Sequence, residues 1–203
     1  MSRLLPPEYH RLVAEFGRFP GVGPKAAQRM AQHVLLRADF HHSLLDALDQ
    51  AAVIHLCPNC RVMLSTADGR THCSFCCDAE RRQDVLLVVL DHESAQIALD
   101  AGYDGQLWVL QRLLSPVDQV GPDDIDSRGL CARLERLQEQ QRQKKPPQNP
   151  PCDQKDKPGL RVRIGLPDSV EGRATAVFLG RLVARLGIKC EVESFSVMFK
   201  ESK

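Results

Sequence analysis

Apolar residues follow two different spacings along this 203-residue chain. Up to residue 52 they recur at helical spacing in the stretches 8–17, 24–35 and 43–52, which predicts three amphipathic helices. Ser43, with Asp46 three residues later, resembles a capping box at the start of the third helix. Leu44, Leu45, Leu48 and Ala52 repeat at helical spacing, so we expect this helix to belong to the core. We also expect two chains to pair through residues 1–55, which would bury Leu12, Phe16 and the Leu44 and Leu48 stripe.

From residue 85 onward, segments of strand length alternate with helical patterns. VLLVVL at 85–90 is a continuous apolar run, the segments 107–110, 160–166 and 188–193 also read as strands, and helical patterns occupy 93–102 and 170–187. Strands that are apolar on both faces and separated by helices predict a parallel α/β sheet. The stretch 137–158 is polar and rich in Pro, Gln and Lys, so we expect a disordered insertion there.

Charge is distributed unevenly along the chain, although the net charge is only +1. Residues 1–40 carry six Lys or Arg against three Asp or Glu, residues 84–135 carry three against ten, and residues 136–163 carry eight against three. The two basic segments favour a polyanionic partner. No signal peptide or membrane-spanning run is apparent, so we expect a soluble cytoplasmic protein with reduced thiols.

Four of the eight cysteines form two CxxC pairs separated by twelve residues: Cys57, Cys60, Cys73 and Cys76. Each pair directs two thiolates at one ion, and two pairs complete the tetrahedral shell of a structural Zn²⁺. The alternatives are a chance distribution of cysteines or disulfide pairing. Cys77 is a second candidate for the fourth ligand, but Cys76 preserves the CxxC spacing.

The segment FPGVGPK, residues 19–25, separates the first two predicted helices. Gly21 and Gly23 permit a tight hairpin, and Pro24 suits the first position of a helix. A helix N terminus with free amides binds phosphate, and Lys25 and Arg29 lie one turn apart on the same helix. The pattern is typical of a helix-hairpin-helix motif that binds DNA phosphates without reading bases. An ordinary corner between two helices is the alternative.

Several segments together resemble the RecR family of bacterial recombination mediators. They are FPGVGPKAAQRMAQH, the four-cysteine module, YDGQLWVLQRLLSPVDQVGPDDI and SVEGRATA, in this order. The resemblance implies a Toprim-type α/β domain after the zinc module. It also implies ring-shaped or dimeric DNA clamps that act with RecO and RecF to load recombinase onto single-stranded DNA, in the bacterial cytoplasm at the nucleoid.

The chain departs from the family pattern at several positions. Leu90 stands where Toprim enzymes have a catalytic glutamate, and leucine neither binds Mg²⁺ nor transfers a proton. Residues 167–169 replace a TNPT-like stretch, and Arg173 replaces an acidic residue. The last residues, SFSVMFKESK, differ from the C-terminal segment of the family, which implies a dimer rather than a four-membered ring.

These observations predict a non-enzymatic protein that binds single- and double-stranded DNA. The expected organisation is a helix-hairpin-helix domain at 1–55, a zinc module at 56–83 and a Toprim-like domain at 84–199. One alternative is a Toprim nuclease, primase or topoisomerase that holds Mg²⁺ through acidic residues, namely Asp118, Asp123, Asp124 and Asp126. Another alternative is a zinc-stabilised interaction protein that has lost DNA binding.

Overall fold

The computed structural model describes residues 4–143 and 159–199. The chain divides into two compact units, residues 1–54 and residues 55–203. The division falls within a short strand, β1, Ile54–Leu56.

The first unit contains three helices. They are α1, Pro7–Phe16, α2, Pro24–Leu36, and α3, Ala38–Ala51. The small residues Ala27 and Ala31, with Val34, are buried on one face of α2 and allow the helices to approach closely. Helix α2 begins at Pro24, as predicted from the missing N–H of proline.

Helix α3 differs from the sequence prediction in two respects. It begins at Ala38, so Ser43 lies in the middle of the helix rather than at its N-terminal cap. None of its residues is buried, and Leu48 keeps 60% of its surface exposed. The expected core stripe is therefore a surface stripe within this unit, because α1 and α2 do not cover it.

The second unit begins with a small cysteine-containing module. Strand β1 pairs with β2, Met63–Ser65, and the short helix α4, Ser74–Cys77, follows. We call residues 55–77 the knuckle.

A four-stranded parallel sheet forms the rest of the second unit. Its elements are β3, Val85–Val89, α5, His92–Asp100, β4, Gln106–Val109, α6, Ser127–Gln143, β5, Arg161–Leu166, α7, Val170–Arg185, β6, Lys189–Ser194, and α8, Phe195–Met198. The strand order is β4-β3-β5-β6, and all three pairings are parallel. The predicted parallel α/β fold is confirmed.

The sheet separates two apolar cores. On one face, Leu86, Val88 and Trp108 pack with the apolar stripes of α6 and α7. On the other face, Leu87 and Val109 pack with α5 and with three cysteines of the knuckle. The alternation follows the two-residue period of a strand, and it explains why β3 and β4 are apolar throughout.

The prediction of a disordered insertion at 137–158 is wrong for its first residues, which belong to helix α6. The last seven residues of α6, 137–143, fall within the predicted insertion, but they are helical, and Leu137 is fully buried. Residues 144–158 lie outside the described residues. Within the described part of the chain, no helix combines the length and the apolar character needed to cross a bilayer.

Candidate metal centre and nucleic-acid interface

Two tight turns bring the sulfur atoms of the knuckle together. In the first turn, the Arg61 amide donates to the Cys57 carbonyl at 2.8 Å. In the second, the Cys76 amide donates to the Cys73 carbonyl at 3.0 Å. The four Sγ atoms of Cys57, Cys60, Cys73 and Cys76 all lie within 4.8 Å of one another.

This arrangement fits a tetrahedral metal ion. Zn–S bonds of about 2.3 Å place the sulfurs of a tetrahedral site about 3.8 Å apart. The Sγ atoms of Cys60 and Cys73 are 3.4 Å apart, which is close to that spacing. Cys76 belongs to the cluster, whereas Cys77 is exposed and lies outside it. The CxxC spacing thus identifies the four side chains that converge.

The cysteine thiols influence one another strongly. Hydrogen bonds with Cys60, Cys73 and Cys76 lower the pKa of Cys57. Hydrogen bonds with the other three thiols, Cys57 first, raise the pKa of Cys76. Because a metal ion is bound by thiolates, metal binding at this cluster would displace protons from it.

The knuckle is attached to β4, the edge strand of the sheet. The Val109 amide donates to the Cys60 carbonyl at 2.9 Å, and the Gln111 side chain donates to the Arg61 carbonyl at 2.9 Å. The Arg61 guanidinium forms an ion pair with Asp126 and lies 5.8 Å from the centre of the Trp108 ring. Arg61 therefore joins the knuckle, β4 and the segment before α6.

The motifs in the sequence do not point to Arg61 or Arg133, and only one of these residues has a signal in the sequence. Arg61 follows Cys60 in a turn with a φ of 64°, which nothing in the sequence indicates. Arg133 occupies an apolar position of α6, between Leu130 and Leu134, and only 6% of it is exposed. A cation at a core position of a helical stripe is a signal that could have found it.

The hairpin between α1 and α2 lies in the first unit. Gly21 has a φ of 76°, a conformation that glycine adopts without steric cost. The Val22 amide donates to the Phe19 carbonyl at 3.1 Å, which closes the turn. Gly23 precedes α2, and no side chain in the described part caps this helix. The first amides of α2 are thus available to an anion.

The basic residues beside this hairpin are exposed. Lys25 and Arg29 lie one turn apart on α2, and the Arg29 Nε donates weakly to the Lys25 carbonyl at 3.5 Å. Arg18 instead forms an ion pair with Glu15 at 2.9 Å. The arrangement offers two side-chain cations next to an open helix N terminus.

The acidic residues considered as magnesium ligands have separate partners. Asp118 accepts from Ser115, Asp124 accepts from the Gly121 amide, and Asp126 pairs with Arg61. Asp123 pairs with Arg128 at 3.2 Å. Within residues 4–143 and 159–199, the four cysteines are the only cluster of three or more potential metal ligands. Leu90, directly after β3, packs against the apolar core.

Comparison with known proteins shows to which family the chain belongs. Residues 9–52 match the family model described as RecR, helix-hairpin-helix. The chain is 34% identical over 188 residues to Recombination protein RecR of Rhodospirillum rubrum, an alignment that covers 89% of this chain and 81% of that protein. The chain belongs to the RecR family.

Other relatives support the same membership. Recombination protein RecR of Myxococcus xanthus is 33% identical, with 92% of this chain and 84% of that protein covered. The protein of the same name from Deinococcus radiodurans is 32% identical, with 90% of this chain and 72% of that protein covered. Membership of the RecR family gives the chain a role in recombinational DNA repair.

Proposed function

We propose that this RecR-family chain is a non-enzymatic DNA-binding protein that contacts phosphates through the α1–α2 hairpin. The observation that carries the proposal is the open N terminus of α2 beside the exposed Lys25 and Arg29. Backbone amides and two cations recognise phosphate charge without base specificity. Binding of both single- and double-stranded DNA follows from such a contact.

In this proposal the chain acts with RecO and RecF to load recombinase onto single-stranded DNA, in the bacterial cytoplasm at the nucleoid. It works as three modules: a helix-hairpin-helix domain at 1–55, a metal module at 56–83 and a Toprim-like domain at 84–199. Leu90 in place of a carboxylate supports a Toprim-like domain that holds no catalytic metal.

The proposed metal is Zn²⁺, bound by the thiolates of Cys57, Cys60, Cys73 and Cys76. The all-sulfur donor set and its closed shell support a structural role, because no position remains for substrate or water. Zinc in such a site stabilises the fold rather than supplying chemistry.

The proposed assembly is a homo-oligomer, with a dimer preferred over a four-membered ring. An apolar groove of about 570 Å³ in the first unit supports self-association through α1, α2 and α3. Its apolar lining residues are Leu12, Phe16, Phe19, Val34, Leu35, Leu44, Leu45 and Leu48. A second copy would remove this surface from water and complete a pair of helix-hairpin-helix motifs.

The test of DNA binding is a charge reversal with a matched control. Lys25→Glu/Arg29→Glu is expected to weaken binding by about tenfold or more on every sequence, and to flatten the plot of log K against log salt by about 2. Arg181→Glu/Arg185→Glu makes the same charge change at the same spacing on the exposed side of α7, and we expect it to leave both quantities close to wild type.

Titrations of labelled oligonucleotides at several salt concentrations measure both quantities. If the hairpin variant retains the wild-type salt slope, the hairpin is not the DNA site. The basic residues Arg142, Lys144 and Lys145 then become the candidates. Equal losses in both variants would indicate an effect of net charge alone.

A further inference from the structure

A cavity of about 280 Å³ lies in the second unit where strands of the sheet begin. Val85 and Arg161, the first residues of β3 and β5, both line it. The other lining residues, most of them charged, are Arg82, Tyr103, Asp104, Arg163 and Glu191. Open parallel sheets usually bind ligands at the carboxyl ends of their strands, so this cavity lies at the opposite end of the sheet. We call it the arginine cavity.

Arg163 reaches the arginine cavity because of the two-residue period of β5. Val162 and Ile164 point into the apolar core shared with α6 and α7, so Arg163 points to the opposite face, on which α5 packs. Its neighbours on the adjacent strands are Leu87 of β3 and Glu191 of β6. The cavity therefore contains a half-buried guanidinium that stands beside the core of the sheet.

Arg163 has no hydrogen bond or ion pair with any residue in the ranges 4–143 and 159–199. Glu191 lies opposite it on β6, but the Glu191 carboxylate forms its ion pair with Lys189, at 3.7 Å. Burial raises the pKa of the Tyr103 phenol, and the nearby charge of Arg163 opposes this rise. The N–H donors of Arg163 are thus available to a ligand.

The other two arginines of the cavity share one carboxylate. Arg82 donates to Asp84 through two bonds, of 2.9 Å from Nε and 2.7 Å from Nη2. Nη2 of Arg161 lies 3.6 Å from the same carboxylate. The hydrogen bonds with Arg82 lower the pKa of Asp84, which therefore stays ionised. Asp84 holds the two guanidinium groups side by side, next to the unpaired Arg163.

The charges in and around the arginine cavity do not balance. In the described part of the chain, the cations are Arg82, Arg161, Arg163 and Lys189, and the carboxylates are Asp84, Asp104 and Glu191. These groups leave an excess of one positive charge. A phosphodiester carries one negative charge, and the planar fork of arginine matches the oxygens of phosphate. The excess charge and the free fork together fit a phosphate group.

We propose that the arginine cavity is a phosphate-binding site, in which Arg163 provides the free guanidinium and Arg82 and Arg161 lie beside it. The phosphate belongs either to the DNA backbone or to a free nucleotide. The DNA source rests on the proposed function, and it would give the chain a phosphate contact in the second unit in addition to the hairpin of the first.

The test changes one charge at a time in the full chain. Arg163→Gln removes the free cation, and Arg163→Lys keeps the charge without the planar fork. Glu191→Gln removes a carboxylate that lines the cavity. Its matched control is Glu193→Gln, the same change on the same face of β6 but outside the cavity lining. Arg185→Gln, on the exposed side of α7, is the control for the loss of a positive charge.

The first arm measures binding of labelled oligonucleotides at several salt concentrations. Arg163→Gln should weaken binding about three- to tenfold on every sequence and flatten the plot of log K against log salt by about 1. Arg163→Lys should bind with an affinity between those of Arg163→Gln and wild type. Glu191→Gln should tighten binding, because it removes a negative charge that repels phosphate, whereas Glu193→Gln and Arg185→Gln should stay close to wild type.

The second arm measures binding of AMP and of inorganic phosphate by isothermal titration calorimetry at constant ionic strength. Binding that weakens in Arg163→Gln and strengthens in Glu191→Gln supports the site. If these changes occur with AMP while DNA binding is unaltered, the source of the phosphate is a free nucleotide. If Arg163→Gln fails to fold, Glu191→Gln decides, because a damaged fold would not produce a gain in affinity.

Two results would overturn the inference. The first is wild-type affinity for DNA, AMP and inorganic phosphate in both Arg163→Gln and Glu191→Gln. The second is an equal loss of affinity in Arg163→Gln and Arg185→Gln, which would identify an effect of net charge alone. A wild-type chain that binds no DNA would overturn the proposed function, while the calorimetric arm would still decide whether the cavity binds phosphate.

Discussion

The ion pair between Arg61 and Asp126 is expected to hold the knuckle against the sheet. Both residues have positive φ, 64° and 50°, a conformation that asparagine tolerates better than most residues. Arg61→Asn and Asp126→Asn therefore remove the charges with little backbone strain. Asparagine at 126 also keeps an oxygen to accept from the Gly129 amide, as Asp126 Oδ1 does at 3.1 Å.

The expected coupling free energy of the ion pair follows from its partial burial. The Arg61 and Asp126 side chains keep 21% and 38% of their surface, so the pair lies between an exposed and a buried salt bridge. We expect a coupling free energy of about 1–2 kcal/mol, above the value for surface pairs. Arg61→Asn also loses the contact with Trp108, worth about 0.5–1 kcal/mol, and should cost about 2 kcal/mol in total.

A double-mutant cycle measures this coupling. The free energy of unfolding of the zinc-loaded wild type, both single variants and the double variant is obtained from urea titrations, with Trp108 fluorescence and circular dichroism as separate probes. The double variant should lose about 1–2 kcal/mol less than the sum of the single variants. A coupling energy near zero would refute the proposed attachment. So would an unchanged Trp108 emission in Arg61→Asn, because that ring lies beside the guanidinium.

Three further predictions concern the metal, the chemistry and the assembly. Cys73→Ser should bind less zinc, as measured by elemental analysis, and should be less stable in thermal unfolding. Cys77→Ser, outside the cluster, should keep its zinc and its stability. Equal behaviour of the two variants would contradict the ligand assignment. Mg²⁺ or Mn²⁺ should support no cleavage, relaxation or priming of DNA, and turnover abolished by Asp118→Asn would restore the enzyme hypothesis. Light scattering should give about twice 22.7 kDa. Leu48→Glu, in the groove, should give a monomer, and Leu36→Glu, outside it, should remain dimeric.

Local chemistry made much of the second unit predictable from sequence. The sequence pattern identifies β3, β4 and β5 because these strands are buried along most of their length, and it identifies α7 because that helix has one buried stripe. The CxxC pairs predict the four-cysteine cluster because tight turns place the sulfurs of each pair together. The order β4-β3-β5-β6 does not follow from the pattern, since several crossovers would satisfy the same apolar runs.

The helix boundaries that were wrong have physical explanations. Residues 137–143 have the composition of a linker, but Gln, Glu and Arg are also good helix formers. There the helix is held by Leu137 in the core and by the Gln141 side chain, which donates to the Gln83 carbonyl at 2.8 Å. Ser43 has the spacing of a cap, yet the helix begins five residues earlier, at Ala38, with Asp39 in the first turn, where the helix dipole favours a carboxylate.

The position of the knuckle explains why a metal bound there would matter to the whole sheet. The edge of β4 away from β3 would present unpaired backbone groups, a common starting point for aggregation. The knuckle covers that edge: the Cys60 carbonyl accepts from Val109, while Leu110 donates to β3. It also reaches both faces of the strand, since Cys60 packs in the core with Val109 and Arg61 lies over Trp108 on the other face. Loss of the metal is therefore expected to expose an edge strand, and zinc-free protein should aggregate at concentrations where the zinc-loaded protein stays dispersed.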